Sequence, residues 1–367
     1  MKPKIAFFTG ARSEYGSLKH ILRAIIKDNT FDYSLIVSGL HLLNQFGSTI
    51  NEIKKDGFEI KYVIPIFDEN ISPSYLEFSN AVRDISKALL EEKPDGMFII
   101  GDRIEAYAAA LAAHFTNTKI IHSGGGTLTN GAVDNIYRYN ITNLTSIHIT
   151  TSLNNFNRLK TLPNVEKKNI HFVGSFAIDG IVNFKENKIS IKKQFSKIIP
   201  NKFCLMTFHP VTSSKEDIAL IMDKTIEYLI EKNFQILITY PNNDNGYQKI
   251  INIVDKWKNH QMITVTDNLG SQYYYSALDD CAFVIGNSSS GLLEAPYFHK
   301  QVINIGTRQD GRDTDVGVSN VSCDFEKVRL ALELGFNSNW KKIPNNNIFG
   351  DGNTIPKIMK ILKQNFK

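Results

Sequence analysis

The sequence predicts an α/β protein made of two doubly wound domains, each with a parallel sheet covered by helices. Three observations lead to this fold class. The chain has 367 residues, more than one α/β domain usually contains. Short apolar runs alternate with longer amphipathic segments along the whole chain. A polar, lysine-rich stretch interrupts this alternation once, within 180–201, and a fresh apolar run follows it.

The apolar runs are rich in Ile, Val and Phe and show little alternation, which is typical of strands buried on both faces. They lie at 4–9, 33–38, 61–66, 95–100, 119–121, 146–151, 171–174, 203–208, 234–240, 262–266, 282–286 and 301–306. The segments between them predict helices, for example over 18–28 and 79–93. Because strands and helices alternate, we expect parallel sheets with crossover helices.

The break in this pattern predicts the domain organisation. We expect an N-terminal Rossmann-like domain over 1–179 and a C-terminal one over 180–350. The last segment, 351–367, contains the amphipathic stretch TIPKIMKILKQNFK. We expect this stretch to form a helix that packs back on the first domain.

Composition narrows the class of protein. The formal net charge is +5 and the basic residues are scattered, which argues against a nucleic-acid partner. The three cysteines, Cys204, Cys281 and Cys323, lack paired metal-ligand spacing, and their odd number favours a reducing compartment. No apolar run approaches a membrane span, and the first is too short for a signal peptide. We therefore expect a cytoplasmic protein with no membrane partner.

Ligands of open α/β sheets bind beyond the carboxyl ends of the strands, so the residues that follow each apolar run are candidate site residues. The turn TGARSEYG (9–16) carries Arg12, which could hold an anion or remain a solvated turn residue. The next candidate, GDRIE (101–105), places Asp102 and Glu105 directly after a strand. A structural ion pair of Asp102 with Arg103 is the alternative there.

The longest polar segment of the first half is HSGGGTLTNGAVDNIYRYNIT (122–142). Its three glycines free the backbone for close approach to a ligand. His122, Asp134 and Arg138 accompany them, and the last two share one helical face. A glycine turn followed by an ordinary i,i+4 ion pair is the competing interpretation.

The second half has its own set of polar turns after strands. HPVTSS (209–214) begins with His209, PNNDNG (241–246) contains Asn242, and TRQDGR (307–312) contains Arg308 and Arg312. The most informative turn is NSSSGLLEAP (287–296), a hydroxyl-rich helix start that suits a pyrophosphate. Glu294 follows about one turn later and could accept hydrogen bonds from ribose hydroxyls.

Taken together and in order, these motifs resemble one known family, the hydrolysing UDP-N-acetylglucosamine 2-epimerases of the sialic and legionaminic acid pathways. The resemblance covers nearly the whole chain. Its most specific segments are GARSEYG, SGLHLLNQFGSTI (38–50), GDRIE, FHPVT, YPNND, GNSSSGLLEAP and NIGTRQDGR. It implies the GT-B fold, with UDP held mainly by the C-terminal domain and sugar chemistry in the cleft between the domains.

The resemblance also implies roles for individual residues. Three would be catalytic: Asp102, Asp134 and His209. A second group would bind UDP: Arg12, Ser288, Ser289, Ser290, Gly291, Glu294, Arg308 and Arg312. A third group would bind the sugar: Glu105, His122, Arg138 and Asn242. The reaction implied is loss of UDP across C1–C2 to a 2-acetamidoglycal, followed by addition of water. It needs no metal and no cofactor, and family members are commonly homodimers.

The chain departs from the family in one segment, usually written H-x-[EH]-G-G-E, then Asp, Arg-His and Thr-Lys. Gly124 and Thr127 stand at the two usual ionisable positions, while Tyr139 and Asn143 replace the His and the Lys. Loss of a true general acid or base commonly costs about three decades in rate or more. Two alternatives therefore stay open. One is a GT-B glycosyltransferase or nucleotide-sugar hydrolase that keeps the UDP site, and the other is a non-catalytic UDP-sugar-binding regulator.

Overall fold

The computed structural model describes residues 2–67, 73–127, 134–211, 216–242 and 245–366. Contacts within the chain divide it into two units. Unit 1 contains residues 1–176 and 349–367, and unit 2 contains residues 177–348. Both units are built on a parallel sheet, so the predicted α/β class is confirmed.

Unit 1 contains a parallel sheet of seven strands in the order β3-β2-β1-β4-β5-β6-β7. The strands are β1 (Lys4–Thr9), β2 (Asp32–Ser38), β3 (Tyr62–Ile64), β4 (Gly96–Ile100), β5 (Lys119–Ser123), β6 (Ile147–Thr150) and β7 (Ile170–Phe172). The strand order reverses between β1 and β4, and ligands of open α/β sheets bind beside such a reversal.

Helices cover both faces of this sheet. They are α1 (Arg12–Asp28), α2 (Ile50–Lys55), α3 (Tyr75–Glu92), α4 (Ile104–Phe115), α5 (Asp134–Leu144), α6 (Leu153–Leu159) and, near the C-terminus, α13 (Thr354–Asn365). Alternate residues of β1 enter two separate cores. Phe7 packs with residues of α1 and α13, whereas Phe8 packs with residues of α3 and α4. Burial on both faces explains why the strands read as continuous apolar runs.

The C-terminal helix α13 packs within unit 1 against α1. Phe366, which follows α13, lies against Gly96, where a Cβ atom would come within 2.7 Å of the phenyl ring. Lys363 Nζ lies 2.7 Å from Asp28 Oδ2 at the end of α1. The apolar face of α13 therefore helps to complete the first core.

Unit 2 contains a parallel sheet of six strands in the order β10-β9-β8-β11-β12-β13. The strands are β8 (Phe203–Thr207), β9 (Gln235–Thr239), β10 (Ile263–Thr266), β11 (Phe283–Gly286), β12 (Gln301–Ile305) and β13 (Val318–Val321). The helices are α7 (Phe176–Glu186), α8 (Ile218–Glu231), α9 (Tyr247–Trp257), α10 (Gly270–Asp280), α11 (Ser289–Leu293) and α12 (Phe325–Asn337). The order reverses between β8 and β11, where unit 2 is expected to bind its ligand.

Each predicted apolar run overlaps a strand, but the structure differs from the sequence analysis in three places. The run at 119–121 extends to Ser123, so His122 belongs to β5 rather than to the loop after it. The edge strand β13 was missed because VSNV is polar at its centre and only half-buried. The helix expected after NSSSG is only five residues long, and Glu294 caps its end.

Of the helices in the described part of the chain, none has the length and apolar character that crossing a membrane requires.

The core of unit 2 contains one site where a glycine makes room for a tryptophan. The Trp340 ring stacks on the Phe283 ring with centroids 3.6 Å apart and planes 13° apart. Gly335 lies under the same indole, and a Cβ atom there would come within 2.2 Å of it. Packing against the Trp340 ring therefore requires glycine, which has no side chain, at position 335 of α12.

We expect Gly335→Ala to destabilise the protein. Alanine favours a helix over glycine by about 1 kcal/mol, but a methyl group forced into a filled core costs about 1–3 kcal/mol. The clash involves a rigid aromatic ring, so we expect a net loss of about 1–2 kcal/mol in the free energy of unfolding. Urea denaturation measures this. The control is Leu334→Ala, at a neighbouring side chain that is 71% exposed; equal stability of both variants would contradict the expectation.

Candidate active site

In unit 1, Asp102 and Arg138 form an ion pair beyond the carboxyl end of β4. Arg138 Nε donates to Asp102 Oδ2 at 2.7 Å, and Nη2 donates to the same oxygen. Arg138 is buried and also donates to the carbonyl oxygen of Thr127 at 3.0 Å. The two alternative ion pairs considered from the sequence, Asp102 with Arg103 and Asp134 with Arg138, are therefore not the ones formed.

Asp134, the first described residue of α5, is an exposed carboxyl beside this ion pair. Partial desolvation, and next the negative charge of Asp102, raise its pKa above the usual range, while Arg103 and Arg138 oppose the shift. Asp102 is tied to Arg138 by two hydrogen bonds, whereas Asp134 has no ion pair with any described residue. Two neighbouring carboxyl groups thus occupy different environments, an arrangement from which acid and base roles arise.

Two further carboxyl groups, Glu14 and Glu105, are buried beneath the ends of β1 and β4. Glu105 Oε1 accepts a hydrogen bond from Arg103 Nε at 2.7 Å. Burial raises the pKa of Glu105, and Arg103 opposes this. Burial and then the charge of Glu105 raise the pKa of Glu14 to about 8. Glu14 was missed in the sequence, although its position three residues into the helix after a glycine turn is an available signal.

The glycine of the first turn makes room for these carboxyl groups. A Cβ atom at Gly10 would lie 2.2 Å from Glu105 Cγ. The Gly10 amide donates to Glu14 Oε2 at 2.8 Å. Arg12, in the same turn, points to the surface, with Nε 3.4 Å from Glu52 Oε2. Binding of UDP by Arg12 therefore remains a prediction.

His122 has no exposed surface and supports the loop after β4 from below. Its Nε2 atom lies 2.7 Å from the carbonyl oxygen of Gly101, so Nε2 carries a proton. Burial lowers the pKa of His122 to about 4, which keeps the ring neutral at physiological pH. Three residues predicted to bind the sugar, His122, Arg138 and Glu105, are thus buried beneath the site. Their direct contact with a sugar remains a prediction.

The altered segment of the loop after β5 is held by glycine geometry. Gly124 has φ of +138°, which residues with a side chain rarely adopt. A Cβ atom there would lie 3.3 Å from the Gly101 amide nitrogen. Thr127 Oγ1 accepts a hydrogen bond from Asn155 Nδ2 at 2.9 Å. The loop is therefore built around the residues that are present. The residues after it, 128–133, lie outside the described part of the chain.

Unit 2 contains a cavity of about 360 Å³ beyond the carboxyl ends of β8, β9 and β11. Four residues predicted from the sequence line it: His209, Ser288, Ser290 and Glu294. Sequence reasoning missed Thr207, Thr239, Asp267, Ser271, Tyr274 and Tyr275, which line it as well. Three of these, Ser271, Tyr274 and Tyr275, come from α10, whose stretch GSQYYYSALDD reads as an ordinary amphipathic helix. Parts of the turns after His209 and Asn242, namely 212–215 and 243–244, lie outside the described residues.

The hydrogen bonds of His209 fix its tautomer. The backbone N–H of Asn242 donates to His209 Nδ1 at 3.0 Å. Because Nδ1 accepts this bond, the ring proton lies on Nε2. Asn242 therefore contributes its backbone to the position of His209, and contact of its side chain with the sugar remains a prediction. In this state His209 is a neutral hydrogen-bond donor.

The residues of the serine-rich turn differ in whether they line the cavity. Ser288 and Ser290 line it, with their hydroxyl oxygens 3.1 Å apart, and Ser290 also hydrogen-bonds to the Tyr274 hydroxyl. Ser289 is exposed, whereas Gly291 is buried against β12, where a Cβ atom would lie 3.2 Å from a methyl group of Val302. Roles of Ser289 and Gly291 in UDP binding remain predictions.

The two arginines of the loop after β12 differ in their surroundings. Arg308 Nη1 donates to the carbonyl oxygen of Asn287 at 3.2 Å. Arg312 is exposed and forms no ion pair with any described residue. Neither is among the residues that line the cavity, so their contact with a phosphate remains a prediction.

Glu294 is a carboxyl group in the lining of the cavity, and its pKa is strongly altered. Burial raises its pKa to about 7, and a long hydrogen bond of 3.5 Å from the Tyr275 hydroxyl opposes the shift slightly. At neutral pH the carboxyl group therefore exists in both protonation states.

Known proteins are similar in sequence to this chain over nearly its whole length. The sequence model of the UDP-N-acetylglucosamine 2-epimerases matches residues 23–363. The chain belongs to this family. It is 30% identical to the UDP-N,N'-diacetylbacillosamine 2-epimerase (hydrolyzing) of Legionella pneumophila, over 98% of this chain and 95% of that protein. It is 31% identical to the GDP/UDP-N,N'-diacetylbacillosamine 2-epimerase (hydrolyzing) of Campylobacter jejuni, over 89% of this chain and 88% of that protein.

The fold agrees with this membership. The structure of the Methanocaldococcus jannaschii UDP-GlcNAc 2-epimerase in complex with UDP-GlcNAc and UDP covers 98% of this chain and 99% of its own, with a TM-score of 0.72 and 21% identity. The GT-B fold implied by the sequence motifs is confirmed, as is the family resemblance itself.

The pKa of Glu294 leads to a prediction about UDP affinity. If an ionised Glu294 accepts hydrogen bonds from the ribose hydroxyls, protonation must weaken binding. A carboxyl group with a pKa of about 7 falls from mostly ionised to mostly protonated between pH 8 and pH 6, so we expect about tenfold weaker UDP binding from this group.

Calorimetric titration of the wild type and of Glu294→Gln at both pH values measures the effect. Ionisation of the UDP phosphates affects binding to the wild type and to the variant alike. The ratio of the wild-type affinity to the variant affinity at each pH therefore reports the contribution of Glu294 alone. A ratio that does not change with pH would disprove the ribose role.

Proposed function

We propose that the protein eliminates UDP from a UDP-N-acetylhexosamine and hydrates the product, releasing an N-acetylmannosamine-type sugar. A base removes the proton from C2, and the C1–O bond breaks with its electron pair leaving on the diphosphate. Water then adds its hydroxyl group at C1 of the 2-acetamidoglycal, and a proton returns to C2 from the opposite face. The released sugar would serve nonulosonic acid or surface glycan synthesis.

The pair of unlike carboxyl groups in unit 1 is the observation that carries this proposal. Asp134 is exposed and has a raised pKa, as a base for a weakly acidic proton requires, whereas Asp102 is held by Arg138. We assign the removal of the C2 proton to Asp134. Asp102 orients Arg138 and keeps a negative charge close to Asp134, which raises its basicity.

The cavity of unit 2 supports binding of the nucleotide. It offers the His209 Nε2–H group, two serine hydroxyls and the Tyr274 hydroxyl as donors, and Glu294 as an acceptor. Donors that are fixed before the reaction stabilise the charge that develops on a leaving diphosphate without reorganisation. We therefore assign the UDP portion of the substrate to unit 2.

Two relatives are named for diacetylbacillosamine, so the substrate panel must include a UDP sugar with acetamido groups at both C2 and C4.

We further propose that the protein acts in the cytoplasm as a homodimer. The three cysteines are all free, which suits a reducing compartment. The proposal of a homodimer rests on the resemblance to the family, whose members are commonly homodimers.

One observation favours a different reaction at the sugar. A position that is usually ionisable in the family is occupied by Gly124, whose backbone conformation would be strained with any side chain. A glycosyltransferase or nucleotide-sugar hydrolase of the same fold would keep the UDP cavity and dispense with C2 chemistry. That reaction is the second candidate.

Incubation of a panel of UDP sugars in heavy water separates the candidates. Elimination and hydration give a free sugar with inverted C2 and deuterium at that carbon, as measured by NMR and mass spectrometry. A free sugar with retained C2 and no deuterium would identify a hydrolase, and transfer to an added acceptor would identify a transferase. Binding of UDP sugar without turnover would indicate a regulator.

We expect Asp134→Asn to lower kcat by about 10²–10⁴-fold, the usual contribution of a general base. UDP affinity should stay within about twofold, because we assign UDP to unit 2. Asp84→Asn is the matched control, since Asp84 lies on α3 and pairs with Arg83. Turnover and deuterium incorporation that persist in Asp134→Asn would remove Asp134 from the reaction.

A further inference from the structure

Asn287 follows β11 directly and has no exposed surface. Its side-chain amide bonds to the backbone of His209 on both sides. The His209 N–H donates to Asn287 Oδ1 at 2.6 Å, and Asn287 Nδ2 donates to the His209 carbonyl oxygen at 2.8 Å. The side chain thus replaces a strand neighbour at the point where the ladder between β8 and β11 ends.

A glycine brings the two strands close enough for this short side chain to reach. Gly286 has φ of +138°, and a Cβ atom there would lie 1.9 Å from the Thr207 carbonyl oxygen. The Asn287 N–H donates to the same oxygen at 3.0 Å. Asparagine is required after this glycine because it offers a donor and an acceptor on one short side chain.

Asn287 also connects His209 to the loop after β12. Its carbonyl oxygen accepts hydrogen bonds from Gln309 Nε2 at 2.7 Å and from Arg308 Nη1 at 3.2 Å. On the other side, the Asn242 N–H holds the His209 ring at Nδ1. Hydrogen bonds therefore connect the ends of four adjacent strands, β9, β8, β11 and β12.

Loss of the Asn287 side chain would remove its hydrogen bonds to the N–H and the C=O of His209 and leave these part-buried groups in need of other partners. Such groups are costly in a protein interior, and the loop would shift to find water. A shift of the His209 backbone would break the bond between Asn242 and Nδ1, and with it the fixed direction of the Nε2–H group.

We propose that Asn287 is the positioning residue for His209, which it holds by its backbone so that the Nε2–H group points at the diphosphate of the nucleotide. This inference rests on the proposed assignment of UDP to unit 2. Asn287 acts through His209, so its contribution to binding disappears when the imidazole is absent.

A double-mutant cycle on UDP affinity tests this. In the otherwise wild-type protein, Asn287→Ala should weaken UDP binding by about tenfold. In the His209→Ala protein, which keeps the backbone that Asn287 binds, the same change should weaken it by less than about twofold. Thr225→Ala, which removes a buried 2.7 Å hydrogen bond in α8, is the control and should leave UDP affinity unchanged.

Equal losses in both backgrounds would show that Asn287 has a general structural role, and would overturn the inference. If Asn287→Ala does not fold, Asn287→Ser retains one hydrogen-bonding group and takes its place in the cycle. Failure of the wild-type protein to bind UDP would instead refute the proposed function. Calorimetry of the full chain distinguishes these outcomes, because it does not depend on turnover.

Discussion

Burial of both faces of each sheet is the constraint on which the rest of the structure depends. Residues of the central strands enter apolar cores on two sides, so there is little room for polar chemistry along their length. It is confined to the ends of the strands, where the hydrogen-bonded ladder stops and the backbone must find new partners. The candidate site residues of both units lie at or next to these ends, which explains why short turns contain so many of them.

The two units meet this constraint with different chemistry. Unit 1 buries ionisable groups: Glu14 and Glu105 lie under the sheet edge, and the buried Arg138 forms an ion pair with Asp102. Desolvation there moves pKa values away from their usual range and produces groups that can exchange protons near neutral pH. Unit 2 uses mainly neutral groups, namely serine and tyrosine hydroxyls and an imidazole with a fixed proton. These hydrogen-bond donors suit the recognition of a charged ligand, and Glu294 is a carboxyl group of the same edge that can change its charge near neutral pH.

Much of this organisation could be predicted from the sequence, because parallel strands leave continuous apolar runs and the turns after them carry the site. The residues that each side chain contacts in the folded protein could not be predicted from the sequence. Arg138 lies four residues after Asp134 yet bonds to Asp102, which is 36 positions earlier. Glu14 reads as a helix-capping residue, and nothing local shows that it is buried beside Glu105. Asn287 stands first in a serine-rich motif, and its importance depends on the strand it faces.

The conformation of Gly124 has a consequence for any variant that introduces an ionisable side chain at this position. The backbone at this position is twisted into a shape that suits glycine, and it rests against the neighbouring loop at Gly101. Putting back an acidic side chain would therefore demand that two loops change together. A single substitution at Gly124 would therefore strain the backbone before a side chain there could take part in any chemistry.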